Sequence, residues 1–183
     1  HDLVVLSARE VLVWPTHLSS RLSTELVNVH RTFGNVGNVV LADLDDDGTL
    51  DIAASARNSS SVWATSWSNV NGTGRALRPT TLLRESGVAV ARALRASDVD
   101  GDGQLDLLLG NLTNVHWWSN EDIDPDTGSM RFVPGEALPV AAVSGTTVRV
   151  VDVRDLTGDG IPDLVVAYDA SGAASAAAAG VFV

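Results

Sequence analysis

DVDGDGQLDLLLG, residues 98–110, joins an aspartate-rich loop directly to an apolar strand. The same nine-residue pattern begins at Asp43 and at Asp155, and each copy is again followed by an apolar run. We call the copies loop 1 (43–51), loop 2 (98–106) and loop 3 (155–163). They begin 55 and 57 residues apart, from 43 to 98 and from 98 to 155. A pattern that returns at a nearly constant spacing indicates a repeated structural unit.

The residue types of these loops predict calcium ligands. Ca²⁺ takes about six to eight oxygen ligands. Carboxylates at positions 1, 3, 5 and 9 and a carbonyl at position 7 supply such oxygens, while glycine at position 6 permits the sharp turn. The candidate ligands are Asp43, Asp45, Asp47, Thr49 and Asp51 in loop 1, Asp98, Asp100, Asp102, Gln104 and Asp106 in loop 2, and Asp155, Thr157, Asp159, Ile161 and Asp163 in loop 3. We therefore predict about three Ca²⁺ sites with a structural role.

Loop 3 departs from the pattern at position 3, where Thr157 replaces aspartate. The loss of one negative charge predicts that its calcium site is the weakest of the three. The alternative is that all three loops are acidic β-turns that hold no metal. Three copies in register, each with aspartate at position 9, favour calcium over that alternative.

Each repeat is predicted to contain four short antiparallel strands. In the repeat of loop 1 these are apolar or aromatic runs at 37–42, 50–54, 62–67 and about 76–83, bounded by turn residues. Four strands in a unit of this length predict an all-β fold, a β-propeller with one sheet per blade. The alanine-rich stretch at 173–179 has helical propensity, but its place in the repeat favours a loop or a strand.

We predict a single β-propeller segment over residues 1–183, with about three and a half blades. Its parts are a partial blade at 1–34, blades at 35–86 and 87–144, and a partial blade at 145–183. Asp2 matches the last position of a fourth loop, so we expect the chain to begin within a repeat. Because an open arc of blades exposes apolar faces and sheet edges, we expect further blades, from the same or another chain, to cover them.

Composition excludes several classes of partner. The formal net charge is −11 and basic residues do not cluster, which argues against binding to nucleic acid or anionic membranes. No apolar run is long enough to insert into a membrane, and the lack of cysteine excludes disulfides and thiolate zinc sites. Three sequons make Asn58, Asn71 and Asn111 candidates for glycosylation.

The tryptophans allow two interpretations. Trp14, Trp67 and Trp118 share one position of the repeat, which favours packing between neighbouring blades over a role as stacking platforms for sugars. Trp63 and Trp117 lie outside that register, so one of them could be exposed. No arrangement of histidine, serine or glycine indicates a catalytic site, and we do not expect an enzyme.

The loops and the strands after them resemble the FG-GAP/VCBS repeat, the blade unit of integrin-α-like propellers. The segments NVHWWSN at 114–120 and ATSWSN at 64–69 look like the WYEN-type ending of many VCBS repeats. The resemblance implies a secreted or cell-surface glycoprotein in which calcium loops brace the blades and other loops meet protein or glycan partners, as in adhesion or assembly. A lectin-like propeller is the first alternative, and a propeller-borne lyase or hydrolase is a weaker one.

Overall fold

The computed structural model describes residues 3–6, 10–14, 28–31, 35–57, 61–69, 77–86, 93–110, 115–126, 129–135, 146–170 and 179–182. They form fourteen β-strands and the connections between them, and no helix occurs in this part of the chain. The same residues accordingly contain no helix with the length and apolarity needed to cross a membrane. The all-β prediction is confirmed.

The strands form four antiparallel sheets, and in each sheet the strands follow chain order. Sheet 1 contains β1 (Leu3–Leu6), β2 (Glu10–Trp14) and β3 (Asn28–Arg31). Sheet 2 contains β4 (Asn35–Ala42), β5 (Asp51–Arg57), β6 (Ser61–Asn69) and β7 (Leu77–Ser86). Sheet 3 contains β8 (Ala93–Ser97), β9 (Asp106–Gly110), β10 (Val115–Asp124) and β11 (Ser129–Pro134). Sheet 4 contains β12 (Thr146–Arg154), β13 (Asp163–Ala170) and β14 (Ala179–Phe182).

Strand β9 shows why sheet 3 lies in the interior. All five of its residues are buried. Because successive side chains of a strand point to opposite faces, Leu107 and Leu109 contact residues of sheet 2, whereas Leu108 contacts residues of sheet 4. An apolar run without polar alternation is typical of a strand that is covered on both faces.

Two apolar clusters hold consecutive sheets together. Cluster 2–3, between sheets 2 and 3, contains Leu44, Ala53, Leu94, Leu107, Leu109, Trp118, Met130 and Phe132. Cluster 3–4, between sheets 3 and 4, contains Ala93, Leu108, Val115, Val153 and Val166. Strand β4 lies beside β8, β8 beside β12, and β7 beside β11, so strands of the same rank are neighbours in consecutive sheets. Propeller blades pack in this way, and the predicted propeller architecture is confirmed.

The predicted strands agree with those of the structure in sheet 2, with ends displaced by up to three residues. The displacement arises because the hydrogen-bonded ladder continues into polar residues such as Arg57 and Asn69, which an apolar-run criterion leaves out. The blade boundaries and the number of blades stay predictions. Most of the alanine-rich stretch lies outside the described residues, and β14 begins at its end, Ala179.

Candidate metal centre

Each aspartate-rich loop connects the first two strands of a sheet. Loop 1 joins β4 to β5, loop 2 joins β8 to β9, and loop 3 joins β12 to β13. The aspartate at position 9 is the first residue of the outgoing strand, where it pairs with the last residue of the incoming strand. Asp51, Asp106 and Asp163 are exposed by only 0%, 0% and 5%. The sheet therefore fixes one carboxylate of every loop below the protein surface.

The backbone of each loop turns through two residues in the left-handed region. At position 6, Gly48, Gly103 and Gly160 have φ angles of 83°, 95° and 86°, as expected from the sequence. Position 4 has the same handedness, with φ angles of 79° at Gly101, 78° at Gly158 and 54° at Asp46. Sequence analysis missed this second requirement, although glycine stands at position 4 in two of the three loops. Aspartate is one of the few other residues that adopt this conformation readily.

Hydrogen bonds from the backbone hold the aspartates in the same way in all three loops. The carboxylate at position 1 accepts the N–H of the position-6 glycine at 2.9, 3.1 and 2.9 Å. The carboxylate at position 5 accepts the N–H of position 7 at 2.8 Å in every loop. The carboxylate at position 9 accepts the N–H of position 2 at 2.8, 2.8 and 2.7 Å. Three carboxylates of each loop are thus oriented by the fold itself.

Two of the loops bring three carboxylates within reach of one ion. Oxygen atoms of Asp43, Asp45 and Asp47 in loop 1 lie within 4.8 Å of one another, as do those of Asp98, Asp100 and Asp106 in loop 2. Ligand oxygens at about 2.3–2.6 Å from one Ca²⁺ are separated by at most about 5 Å. Both oxygen sets therefore fit the predicted ion in spacing and in chemistry.

Loop 3 differs from the other two. Its residues form no group of three closely spaced metal-ligating side chains among the described residues, and Thr157 occupies position 3. Residues 155–161 are all exposed. The lower affinity of this loop stays a prediction, as do the carbonyl ligands at Thr49, Gln104 and Ile161.

Burial and neighbouring negative charges both disfavour the ionised form of Asp106 in loop 2. Burial raises the pKa of Asp106 from 3.8 to about 6, although the N–H groups of Asn120 and Val99 oppose that rise. The charges of Asp100 and Asp102 raise the same pKa further. A bound cation would relieve both effects, since it favours the ionised form of every carboxylate around it.

Loop 3 shows the opposite behaviour at its first position. Asp155 is exposed, and the N–H groups of Gly160 and Gly158 hold its pKa below 3.8. The contrast with Asp106 follows from solvation, since hydrogen bonds to a carboxylate lower its pKa whereas burial raises it. Loop 3 can therefore carry its charge without a cation more easily than loop 2 can.

One side chain outside the loops connects loop 1 to loop 2. Asn120 lies in β10 and is 1% exposed. Its Nδ2 donates to the carbonyl of Leu44 at 2.6 Å and to that of Leu105 at 3.2 Å, and its backbone N–H donates to Oδ1 of Asp106 at 2.8 Å. Sequence analysis missed Asn120. The available signal was the Ser-Asn pair that follows tryptophan at both 67–69 and 118–120.

A cavity of about 430 Å³ lies between loop 1, loop 2 and sheet 3. Asp43 and Asp46 contribute to its acidic side, and Ile123 and Met130 to its apolar side. Asn120 also lines it, and its Oδ1 is buried and accepts no hydrogen bond from the described residues. The cavity thus combines apolar surface with a few hydrogen-bond acceptors, the usual character of a small-molecule site.

The tryptophans of β10 pack between sheets. Trp118 is 3% exposed and belongs to cluster 2–3, in agreement with the packing role favoured by its repeat position. Trp117 is half-buried against cluster 3–4, where a Cβ at Gly135 would collide with its indole ring. Trp117 is therefore a packing residue rather than a free platform. The side chains of Trp14, Trp63 and Trp67 lie outside the described residues, and so do the sequon residues Asn58, Asn71 and Asn111.

Two regions of the chain match a family model described as an FG-GAP-like repeat. The matches cover residues 43–109 and 98–166, which together are more than half of the 183 residues. Both matches begin at the first aspartate of a loop, Asp43 and Asp98. A comparison with curated protein sequences finds no significant match.

Solved structures also resemble the fold, and 21 chains do so significantly. One is a lectin from Agrocybe aegerita, described by its specific recognition of non-reducing terminal N-acetylglucosamine, which is 20% identical with a TM-score of 0.55. The similarity covers 93% of this chain and 46% of the lectin. The chain thus spans less than half of the lectin's length, and at this identity the likeness concerns the fold.

Proposed function

The chain belongs to the FG-GAP-like repeat family, and from that premise we propose that it is a calcium-stabilised propeller module of a secreted or cell-surface protein. Loops 1, 2 and 3 are its calcium sites. Its other loops serve adhesion, protein interaction or assembly. The observation that carries the proposal is that each of two loops has three carboxylates with oxygens within 4.8 Å of one another, at positions 1, 3 and 5 of loop 1 and at positions 1, 3 and 9 of loop 2.

The residues fit calcium better than they fit a metal-free turn. In loop 2, Asp98, Asp100 and Asp106 hold three acidic groups together, and burial raises the pKa of the last to about 6. Like charges at such short range destabilise a fold unless a cation or a proton compensates them. When bound, Ca²⁺ supplies that positive charge and ties the loop to the first residue of the outgoing strand.

Calcium is expected to stabilise the module moderately. Loops of extracellular modules bind with Kd values on the order of 10⁻⁴–10⁻³ M. At about 1 mM free Ca²⁺ each occupied site adds roughly 0.4–1.4 kcal/mol to the free energy of unfolding. Three sites add about 1–4 kcal/mol together, or several degrees in melting temperature for a chain of this length.

A melting curve in 1 mM Ca²⁺ and another in EDTA test the proposal. We expect the calcium-dependent rise in melting temperature to shrink in Asp100→Asn, which keeps the shape of the side chain and removes a ligand charge. Asp126→Asn is the matched control, because Asp126 is exposed and belongs to the turn between β10 and β11 rather than to any of the three loops. Equal melting temperatures with and without calcium would sink the metal assignment.

Carbohydrate recognition is a second candidate function. The cavity beside loop 1 has about 430 Å³, within the range of roughly 300–1,000 Å³ usual for small-molecule sites. The carboxylate of Asp46, which lines the cavity, is an acceptor suited to sugar hydroxyls. The structural likeness to a lectin that recognises N-acetylglucosamine supports the same class of ligand.

A glycan array followed by calorimetry with N-acetylglucosamine tests this candidate. Asp46→Gly is the informative variant, because loops 2 and 3 already have glycine at that position and the substitution leaves the backbone unstrained. Asp126→Ala, which removes an exposed carboxylate that does not line the cavity, is the control. Sugar binding that is lost in Asp46→Gly and kept in Asp126→Ala supports the lectin hypothesis. An array on which no glycan binds rejects it.

A further inference from the structure

Loops 1 and 2 share a buried hydrogen-bond path that runs through Asn120. In loop 1, Oδ2 of Asp51 accepts the N–H of Leu44 at 2.8 Å, and the carbonyl of Leu44 accepts Nδ2 of Asn120 at 2.6 Å. The backbone N–H of Asn120 then donates to Oδ1 of Asp106 at 2.8 Å, and Oδ2 of Asp106 accepts the N–H of Val99, also at 2.8 Å. The path therefore joins Asp51 to Asp106, the position-9 aspartates of two loops in different sheets.

The path is shielded from water at its centre. Asp51 and Asp106 are 0% exposed, Asn120 1% and Leu44 3%. Hydrogen bonds in such surroundings are stronger than those at the surface, and leaving one of their polar groups unpaired costs more. Through this path a shift of Asp51 in loop 1 would reach the Asn120 side chain, and a shift of Asp106 would reach the Asn120 backbone.

We infer that Asn120 is a positioning residue that couples the two calcium sites, so that occupation of loop 2 raises the affinity of loop 1 and the reverse. The inference rests on the proposed calcium binding. When the Asp106 carboxylate binds an ion, it also fixes the backbone of Asn120 through their hydrogen bond. The side-chain amide of Asn120 in turn fixes the carbonyl of Leu44 at the start of loop 1. Coupling between two sites is reciprocal, and about a fivefold change in affinity is the lower end of what such links produce.

Loop 3 provides the internal comparison. Its path starts in the same manner, with Oδ2 of Asp163 accepting the N–H of Leu156 at 2.7 Å. Leu156 is 54% exposed, however, and no described side chain takes the place that Asn120 holds over Leu44. We therefore expect the occupation of loop 3 to have no influence on loop 1.

Calcium titrations followed by two-dimensional amide NMR of the whole chain test the coupling. The amides of Gly48, Gly103 and Gly160 report on loops 1, 2 and 3 separately, because each donates to the first aspartate of its own loop. Disabling loop 2 by Asp100→Asn with Asp102→Asn is expected to weaken calcium binding at loop 1 about fivefold or more. Disabling loop 3 by Asp159→Asn is expected to leave the affinity of loop 1 unchanged.

The role of Asn120 itself is tested by repeating the titrations in Asn120→Ala. There the affinity of loop 1 is expected to be the same whether loop 2 is intact or disabled. Asn120→Ser, which retains more hydrogen-bonding capacity, replaces that variant if the alanine form does not fold, as judged by its amide spectrum. If loop 1 never responds to loop 2, or responds equally without the Asn120 amide, the inference is wrong. Absence of calcium binding at every loop would instead overturn the proposed function.

Discussion

Position 4 of the loops shows how a single backbone angle limits the choice of residue. Gly101 and Gly158 occupy the left-handed region without steric cost, whereas Asp46 does so with a side chain. A β-carbon in that region costs about 1–2 kcal/mol for most residues, and less for aspartate or asparagine. Asp46 is also the middle one of three consecutive aspartates at 45–47, so it adds negative charge where charge is already concentrated.

We therefore expect Asp46→Gly to leave the calcium-free protein as stable as the original or slightly more so, because it removes both the strain and the charge. The stability of Asp46→Asn, which removes only the charge, should be close to that of Asp46→Gly. Asp46→Ala should be less stable than Asp46→Gly by about 1 kcal/mol. Urea unfolding in the absence of calcium gives these differences, and an alanine variant as stable as the glycine variant would contradict the account.

At the scale of the structural element, the buried carboxylate of Asp106 in loop 2 makes the stability of the fold depend on pH. Asp106 has a pKa of about 6 in the folded protein and an ordinary value of 3.8. Between these two values the folded protein binds more protons than the unfolded chain. The contribution of Asp106 to the free energy of unfolding therefore falls as the pH rises from about 4 to about 6. The contribution of Asp155 to the free energy of unfolding varies with pH in the opposite direction. Because the pKa of Asp155 is lowered in the folded protein, its contribution is lost as the pH falls below 3.8.

Urea unfolding of the metal-free protein between pH 4.5 and 7.5 can separate this effect from the other carboxylates. The stability of the original protein relative to Asp106→Asn is expected to decline across the lower half of that range and to level off above about pH 6.5. Asp155→Asn serves as a control, because its difference from the original protein should stay flat over the same range. A pH-independent difference for Asp106→Asn would show that its carboxyl group titrates normally.

At the level of strands and loops, the sequence was sufficient for features that depend on neighbours along the chain. The apolar run at Leu107–Leu109 identifies β9, and the glycine at position 6 identifies the turn before it. The Asn120 contact could not be predicted, because its partner Leu44 lies 76 residues away and is brought near only by the packing of two sheets. The left-handed conformation of Asp46 was missed because aspartate, unlike glycine, does not by itself indicate a positive φ.

At the scale of the whole molecule, the sheet 4 end of the array of sheets differs from its middle. The side chain two residues after the position-9 aspartate faces the next sheet, and Ala53 and Leu108 at that place are 0% exposed. Its counterpart in sheet 4, Val165, is only half-buried. Likewise Leu44 at position 2 of loop 1 is 3% exposed, whereas Leu156 at position 2 of loop 3 is 54% exposed. The outer side of sheet 4 thus has the residue pattern of an interface between blades, and no sheet among the described residues covers it.

We expect the outer side of sheet 4 to associate with another blade. In a solution of the 183-residue chain alone, we expect it to associate with a second copy of the chain. Sedimentation analysis over a range of concentrations should show association that weakens when Leu156→Asp places a charge on that side. Ile123→Asp is the matched control, because Ile123 is an apolar residue of sheet 3 with 41% exposure and lies away from sheet 4. Full burial of a leucine side chain is worth roughly 1.5–3 kcal/mol, and Leu156 is 54% exposed, so the burial lost in Leu156→Asp should lower the association constant by roughly four- to fifteenfold. A chain that stays monomeric at every concentration, or an equal effect of both substitutions, would mean that the outer side of sheet 4 is stable in water as it stands.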